Sequence, residues 1–155
     1  MAASKLFHVS RIMTVAAIIG LTSSLNAESI ILLTPQEAAL PKPLSSDLDL
    51  RGITRGPQVT LVSPAQDAAQ LASPIHLRFK FESHGGSRID ADATRVTYMR
   101  TPPVDLTDRL RPFLQIDGLD IAEVVLPPGN HVIRIDIQDT DGRSFRALYT
   151  LNVIE

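Results

Sequence analysis

Two alternating runs near the end of the chain constrain its fold more than any other feature. Ile133, Ile135 and Ile137 alternate with polar residues, and the same two-residue period resumes after an Asp-Gly pair. Such a period places alternate side chains on opposite faces of a β-strand. Two β-branched and aromatic runs joined by Asp-Gly are the strongest short-range signal for a hairpin. Residues 131–154 are therefore predicted to form a long β-hairpin with its isoleucine face in a core.

Further short alternating runs precede the hairpin, separated by proline- and glycine-containing turns. Predicted strands cover residues 58–63, 75–81, 95–100 and 119–126. The last of these is expected to turn three side chains to one side, namely Ala122, Val124 and Leu126. A helical turn is predicted near residues 105–114 from apolar residues three or four apart. Because no amphipathic helix longer than this turn separates the strands, we predict an all-β fold. The specific prediction is a single immunoglobulin-like antiparallel β-sandwich of about seven strands with one short helical turn.

The beginning of the chain has the layout of a secretory signal peptide. Lys5 and Arg11 precede an apolar run, residues 12–21, and small and polar residues follow as far as Ala27. The run is too short to span a bilayer, whose apolar core is about 30 Å thick. We therefore predict that residues 1–27 are a signal peptide. The mature chain is expected to be exported to the periplasm or the extracellular space, without stable membrane insertion.

Residues 28–56 are predicted to be a flexible leader or linker, because they show no sustained period. Within them, residues 34–37 have the order Thr-Pro-Gln-Glu, which is typical of a capped helix start. The alternative is a docking segment that meets the domain or a partner through three apolar side chains: Leu48, Leu50 and Ile53. Residues 57–155 are assigned to the sandwich domain.

Composition excludes several classes of partner and site. The chain has no cysteine, so it can form neither disulfides nor thiolate metal sites. Residues 1–27 contain two basic and no acidic residues, so 13 basic and 17 acidic residues remain after cleavage, a net charge of −4. A mildly acidic chain with scattered arginines has no electrostatic footprint for nucleic acid. We therefore predict no nucleic-acid partner.

Catalytic motifs are missing from the predicted mature chain. It contains neither Gly-x-Ser-x-Gly nor Ser-x-x-Lys, which carry nucleophiles in common hydrolases. Its acidic pairs suit turns and a helix start: Asp90/Asp92, Asp105/Asp108 and Asp117/Asp120. We predict that the protein is not an enzyme.

Metal sites are not predicted either. Residues 139–142, Asp-Thr-Asp-Gly, suit a turn, because a calcium loop would need acids where Ile137 and Leu148 stand. The remaining histidines share no close spacing that would form a ligand set. They are His76, His84 and His131. No cofactor is therefore predicted.

A set of basic residues on predicted exposed positions or turns is the candidate interaction face. An exposed basic sheet face commonly protects against aggregation, and it can also bind an acidic or extended partner. The residues are Arg78, Lys80, Arg134, Arg143 and Arg146.

The predicted domain resembles two families, the first through its C-terminal end. The stretch LPPGNHVIRIDI followed by DGR resembles the end of a fibronectin type III or bacterial immunoglobulin-like domain. That resemblance implies a tyrosine whose hydroxyl ties a corner of the sandwich to nearby backbone. His131 stands at that position here, and a histidine nitrogen could make the same bond.

The second resemblance is to the CopC-type periplasmic copper carriers, which are small β-sandwiches. It rests on Ser63-Pro64-Ala65, on Ser73-Pro74 and on Asp141-Gly142 between two strands. The family carries a histidine at its mature N-terminus and another directly after the Asp-Gly. Glu28 and Arg143 occupy these places, so the copper ligands do not carry over.

The sequence thus predicts a non-catalytic exported module for binding or assembly in a bacterial cell envelope, with a protein partner. One alternative is a periplasmic copper or other metal carrier of the CopC type. The other is a structural subunit of an envelope complex that docks through residues 28–56.

Overall fold

A computed structural model describes residues 29–43, 56–65 and 68–155. Two β-sheets pack face to face, which confirms the prediction of an all-β sandwich. Six strands form its body: β2 (Gln58–Ser63), β4 (Ile75–Glu82), β5 (Ile89–Tyr98), β8 (Gly118–Val125), β9 (Gly129–Asp139) and β10 (Ser144–Ile154). Four two-residue strands bring the total among the described residues to ten, where about seven were predicted: β1 (Ile30–Ile31), β3 (Leu71–Ala72), β6 (Val104–Asp105) and β7 (Leu114–Gln115).

The strand order places long strands at the centre of each sheet and mostly short ones at the edges. The first sheet runs β1-β8-β4-β2, with β7 also paired to β8. The second runs β3-β10-β9-β5-β6. The long strands pair antiparallel, whereas β1 pairs parallel with β8 and β3 pairs parallel with β10.

The predicted C-terminal hairpin is β9 and β10, and it supplies much of the core. Ile135 pairs with Ala147 across the hairpin, in the register that the two-residue period requires. Ile133, Ile135 and Ile137 are at most 1% exposed. On the opposing sheet, β4 alternates between buried and exposed residues over its first seven positions. Side chains from these two inner faces therefore interdigitate as in other sandwiches.

The facing predicted for β8 is wrong at Ala122, which is exposed. The buried residues of this strand are Leu119 and Ile121, followed by Val124. The pairing with β4 shifts register between Ile75 and Leu77, so β8 carries an extra residue there. A β-bulge of this kind reverses the facing of every later residue, which a uniform alternation cannot anticipate.

The prediction of a flexible leader is wrong for residues 29–43. Strand β1 extends the first sheet, and Leu32 and Leu33 that follow it are at most 1% exposed. The helix α1 (Pro35–Ala38) begins at the predicted cap with a complete capping box. Burial of two leucines binds this segment to the sandwich, because each buried leucine contributes about 2 kcal/mol. Residues 1–27 and 44–55, with Leu48, Leu50 and Ile53, lie outside the described residues.

The second predicted helical region is also present. It comprises α2 (Thr107–Leu110) and a 3₁₀-helix (Arg111–Phe113). The Asp105 carboxylate accepts a hydrogen bond from the Thr107 backbone N–H at 2.8 Å, and bonds from Thr107 lower the pKa of Asp105. Within the described ranges, no helix has the length and apolar character needed to cross a membrane.

Candidate interaction surface

A groove of about 410 Å³ lies on the outer face of the first sheet. It is open to solvent, and strands β2, β4, β7 and β8 contribute its walls. The residues that line it include Val62, Arg78, Lys80, Gln115, Asp117 and Asp120. Two of the five basic residues predicted as an interaction face, Arg78 and Lys80, thus belong to a concave surface.

Gly118 lines the groove and stands opposite Lys80 in the sheet, where the two strands approach closely. A Cβ at Gly118 would lie 2.1 Å from the Phe79 carbonyl oxygen, and the residue has φ +151°. Only glycine fits this close approach of two strands.

Charges of both signs line the groove and its margin. The His76 Nε2 atom lies 2.7 Å from Asp120 Oδ1, and Arg78 Nε lies 3.4 Å from Asp120 Oδ2. Lys80 Nζ donates to Glu82 Oε1 at 2.8 Å, and this bond lowers the pKa of Glu82. All these side chains are more than 40% exposed. Exposed pairs contribute about 0–1 kcal/mol, so they can exchange partners when a ligand arrives.

The other predicted cations lie elsewhere, so the five do not form one continuous face. Arg134 and Arg146 belong to the second sheet, where both bind the Asp136 carboxylate, at 2.8 and 2.5 Å. Arg143 lies in the turn between β9 and β10. Whether any of these residues binds a partner stays a prediction.

The turn at residues 139–142 is held by a buried carboxylate. Asp139 Oδ1 accepts from the backbone N–H groups of Asp141 and Arg143, at 3.0 and 2.9 Å. Its Oδ2 accepts from Arg143 Nε at 2.8 Å and from the Ser87 hydroxyl at 3.1 Å. Burial alone would raise the pKa of Asp139, but the bonds from Arg143 and Ser87 lower it. The arrangement is that of a turn, as predicted from the Asp-Gly chemistry.

The acidic residues that the sequence analysis paired either accept hydrogen bonds from nearby groups or are exposed to solvent. Asp90 Oδ1 accepts from the backbone N–H groups of Asp92 and Ala93, at 2.9 and 3.1 Å, which stabilises a bulge in β5. Asp108 lies beside Arg111 at the surface. Within the described part of the chain, no three His, Asp or Glu side chains are grouped as metal ligands would be.

The histidines differ sharply in environment. His76 and His84 are exposed. His131 is 1% exposed, and its Nε2 lies 2.7 Å from the Pro127 carbonyl oxygen. A carbonyl can only accept, so Nε2 carries the hydrogen, and Nδ1 accepts from the Tyr98 hydroxyl at 3.0 Å. His131 therefore ties the start of β9 to the backbone four residues before it.

A buried arginine adjoins this corner, and sequence reasoning missed it. Arg100 is 6% exposed, and its guanidinium carbon lies 4.6 Å from the centre of the Tyr98 ring. Nη2 donates to the Asn130 carbonyl oxygen at 2.9 Å, while Nε has no hydrogen-bond partner among the described residues. The only signal was its place as the last residue of the predicted strand 95–100, two positions after Tyr98.

Comparison with known proteins identifies no relative: no family model, curated protein or solved structure matches the chain.

Proposed function

We propose that this chain is a non-catalytic, exported binding or assembly module of a bacterial cell envelope. Its partner is a protein, which it binds through the groove on the first sheet. The observation that carries the proposal is the groove itself, a concave surface with cations on β4 and acids on β8 and on the turn before it. A folded sandwich that presents exposed, exchangeable ion pairs suits reversible binding. Export rests on the signal-like residues 1–27.

The strand order supports the immunoglobulin-like part of the proposal. The long strands run β2-β4-β8 in one sheet and β10-β9-β5 in the other. In chain order these correspond to the A-B-E and G-F-C strands of immunoglobulin sandwiches. Such domains commonly serve as binding modules in exported proteins, although a shared fold does not establish a shared function.

The test compares charge reversals on the two outer faces. The double variant Arg78→Glu/Lys80→Glu changes the groove, and Arg146→Glu is the control on the opposite sheet. Each is expressed in the source cell and crosslinked in the envelope fraction. We expect the groove variant to lose a partner that the wild type and the control both retain. Equal recovery by all three proteins would contradict the groove as the binding surface.

Copper titration separates the module from a metal carrier. Both ring nitrogens of His131 are engaged in hydrogen bonds, which disfavours it as a ligand. We expect calorimetry with Cu(II) to show no sub-micromolar binding. Tight binding that His84→Ala and His131→Ala abolish would favour the carrier instead.

Docking through residues 28–56 would appear as loss of the partner when residues 44–55 are replaced by a glycine-serine linker of equal length.

A further inference from the structure

Strand β2 is an unusual edge. The terminal strands of the two sheets other than β2 are two residues long, whereas β2 has six. Its residues, Gln-Val-Thr-Leu-Val-Ser, include neither a charge nor a proline. Natural edges are usually blunted by short length, charged side chains or proline, because an open edge pairs readily with another chain. Within the described ranges, β2 lacks these three protections, although its pairing with β4 shifts register between Leu61 and Ser63.

The backbone groups that face outward from this edge can be assigned. The Tyr149 hydroxyl, from the second sheet, donates to the Val59 carbonyl oxygen at 2.7 Å. Phe81, which pairs with Val59, donates its N–H away from β2 to the Asp117 carbonyl oxygen at 2.9 Å. Val59 therefore turns its backbone groups outward, and so does Leu61 two residues later. Tyr149 closes the first half of the edge and leaves the second half, from Leu61, for pairing.

We propose that β2 accepts an extended segment of the partner protein as an additional strand of the first sheet. This inference rests on the proposed function and specifies how the partner binds. Main-chain hydrogen bonds to Leu61 supply affinity, and side chains on alternate positions supply specificity. Val62 is 48% exposed, so an apolar side chain of the incoming segment covers it.

Charge identifies a second feature of the segment, an acidic residue beside Thr60. Thr60 pairs with Lys80 on β4. The added strand lies two strand spacings, about 10 Å, from β4. A glutamate and the lysine side chain can span that gap over the small threonine. Lys80 leaves its exposed pair with Glu82 at little cost, since such pairs contribute about 0–1 kcal/mol.

The same argument disfavours a second copy of this chain as the occupant. Strand β2 contains no acidic residue, so a copy pairing through its own β2 would offer Lys80 no counter-charge. It would also bring the Arg78 and Lys80 side chains of both copies to the same face. A partner segment with an acidic side chain satisfies this surface better.

The experiment uses the full chain, labelled with ¹⁵N, and three ten-residue peptides. The peptides alternate threonine and valine and differ only at one central position, which is glutamate, glutamine or lysine. Amide hydrogen exchange reports strand addition, and titration gives the dissociation constants. When nine-tenths of the protein is bound, exchange of the Leu61 amide should slow about tenfold. The glutamate peptide should bind about two- to fivefold more tightly than the glutamine peptide, and the lysine peptide should bind most weakly.

Three variants test whether the peptides bind at the β2 edge beside Lys80. Lys80→Glu should reverse the order of the glutamate and lysine peptides. Val62→Lys places a charge on the edge and should weaken all three peptides. Ile154→Lys is the matched control, since Ile154 is 40% exposed but lies on β10 of the other sheet, and it should leave all affinities unchanged.

Several results would overturn the inference. Strand addition at β2 is contradicted if the peptide affinities do not depend on the charge of the central residue. It is also contradicted if exchange of the Leu61 amide does not slow. If peptide binding changed only the amide chemical shifts of groove residues 115–120, strand addition at β2 would be overturned. The proposed function would stand in that case. A dimer in sedimentation that Val62→Lys dissociates would identify a second copy as the occupant instead. If no peptide binds at all, the inference fails, and partner recovery with the groove variants judges the function separately.

Discussion

The buried corner histidine predicts a specific dependence of stability on pH. Burial of His131 lowers the pKa of its imidazole, and the nearby Arg100 guanidinium lowers it further, against the raising effect of the bond to the Pro127 carbonyl. Protonation would place a hydrogen on Nδ1, which now accepts from Tyr98. It would also put a second cation beside a buried arginine with no carboxylate bonded to it in the described part of the chain.

The sign and size of the effect follow from proton linkage. A histidine whose pKa is lower in the folded state binds fewer protons there than in the unfolded chain. The free energy of unfolding therefore rises with pH. The contribution of His131 is fully present above the unfolded pKa of about 6.5. It is lost as pH falls from there toward the lower folded pKa, by at most about 1.4 kcal/mol per pH unit for one proton.

Urea unfolding followed by circular dichroism between pH 7.5 and 5.5 measures this slope. The matched variant is His131→Gln, whose amide can donate to the Pro127 carbonyl and accept from the Tyr98 hydroxyl without titrating. We expect the wild type to lose stability across the interval and the variant to remain nearly flat. His76→Gln controls for the loss of an exposed histidine. Equal slopes in the wild type and His131→Gln would refute the reasoning.

Three further predictions concern the fold. Arg109→Ala removes a bidentate pair with Glu37 that holds α1. Bonds from Arg109, together with those from Thr34, lower the pKa of Glu37 to about 2 from 4.5. The whole shift is equivalent to about 3 kcal/mol, of which the solvent-screened pair with Arg109 supplies about 1 kcal/mol. That contribution should be present above pH 4.5 and vanish toward pH 2 in urea titrations of both proteins. Gly118→Ala should lower the free energy of unfolding by at least about 2 kcal/mol, because its Cβ meets the Phe79 carbonyl oxygen; an unchanged melting temperature would contradict this. Ile135→Asp should abolish cooperative unfolding by burying an unpaired charge, whereas Ile135→Val should cost only about 1 kcal/mol.

The local sequence pattern was sufficient to predict the structure wherever the alternation of apolar and polar residues is uninterrupted. The hairpin was predictable because Ile133, Ile135 and Ile137 are spaced two apart beside a turn that only a few residue types make. The capped start of α1 was predictable for the same reason, since its donors and acceptors lie within four residues of one another. In both cases the interactions that determine the structure are short in sequence.

Long-range pairing was not predictable. Strand β1 pairs Ile30 with Val124, and its two residues are too few to show a period. The burial of Leu32 and Leu33 depends on that pairing. Residues 29–43 therefore resembled a linker although they pack on the sandwich.

The candidate site could be predicted only in part, because irregular backbone creates it. Arg78 and Lys80 were identified from their exposed positions on β4, but their neighbours in the groove come from the β7–β8 turn. That turn brings Gly118 so close to β4 that no side chain would fit between the two strands. On the other side, a register shift near Val62 interrupts β2.

These departures from regular alternation have a common consequence. A sheet face of uniform alternating residues is covered evenly by side chains and offers no concave surface. A glycine lets the β7–β8 turn approach β4 closely beside the groove, and a bulge at the end of an edge strand exposes an apolar side chain beside unpaired backbone groups. Both lie on the first sheet, next to Arg78 and Lys80. Proteins break local rules chiefly where function or strain requires it, which is why the groove and the β2 edge, rather than the outer face of the second sheet with its internally paired arginines, are the surfaces to test first.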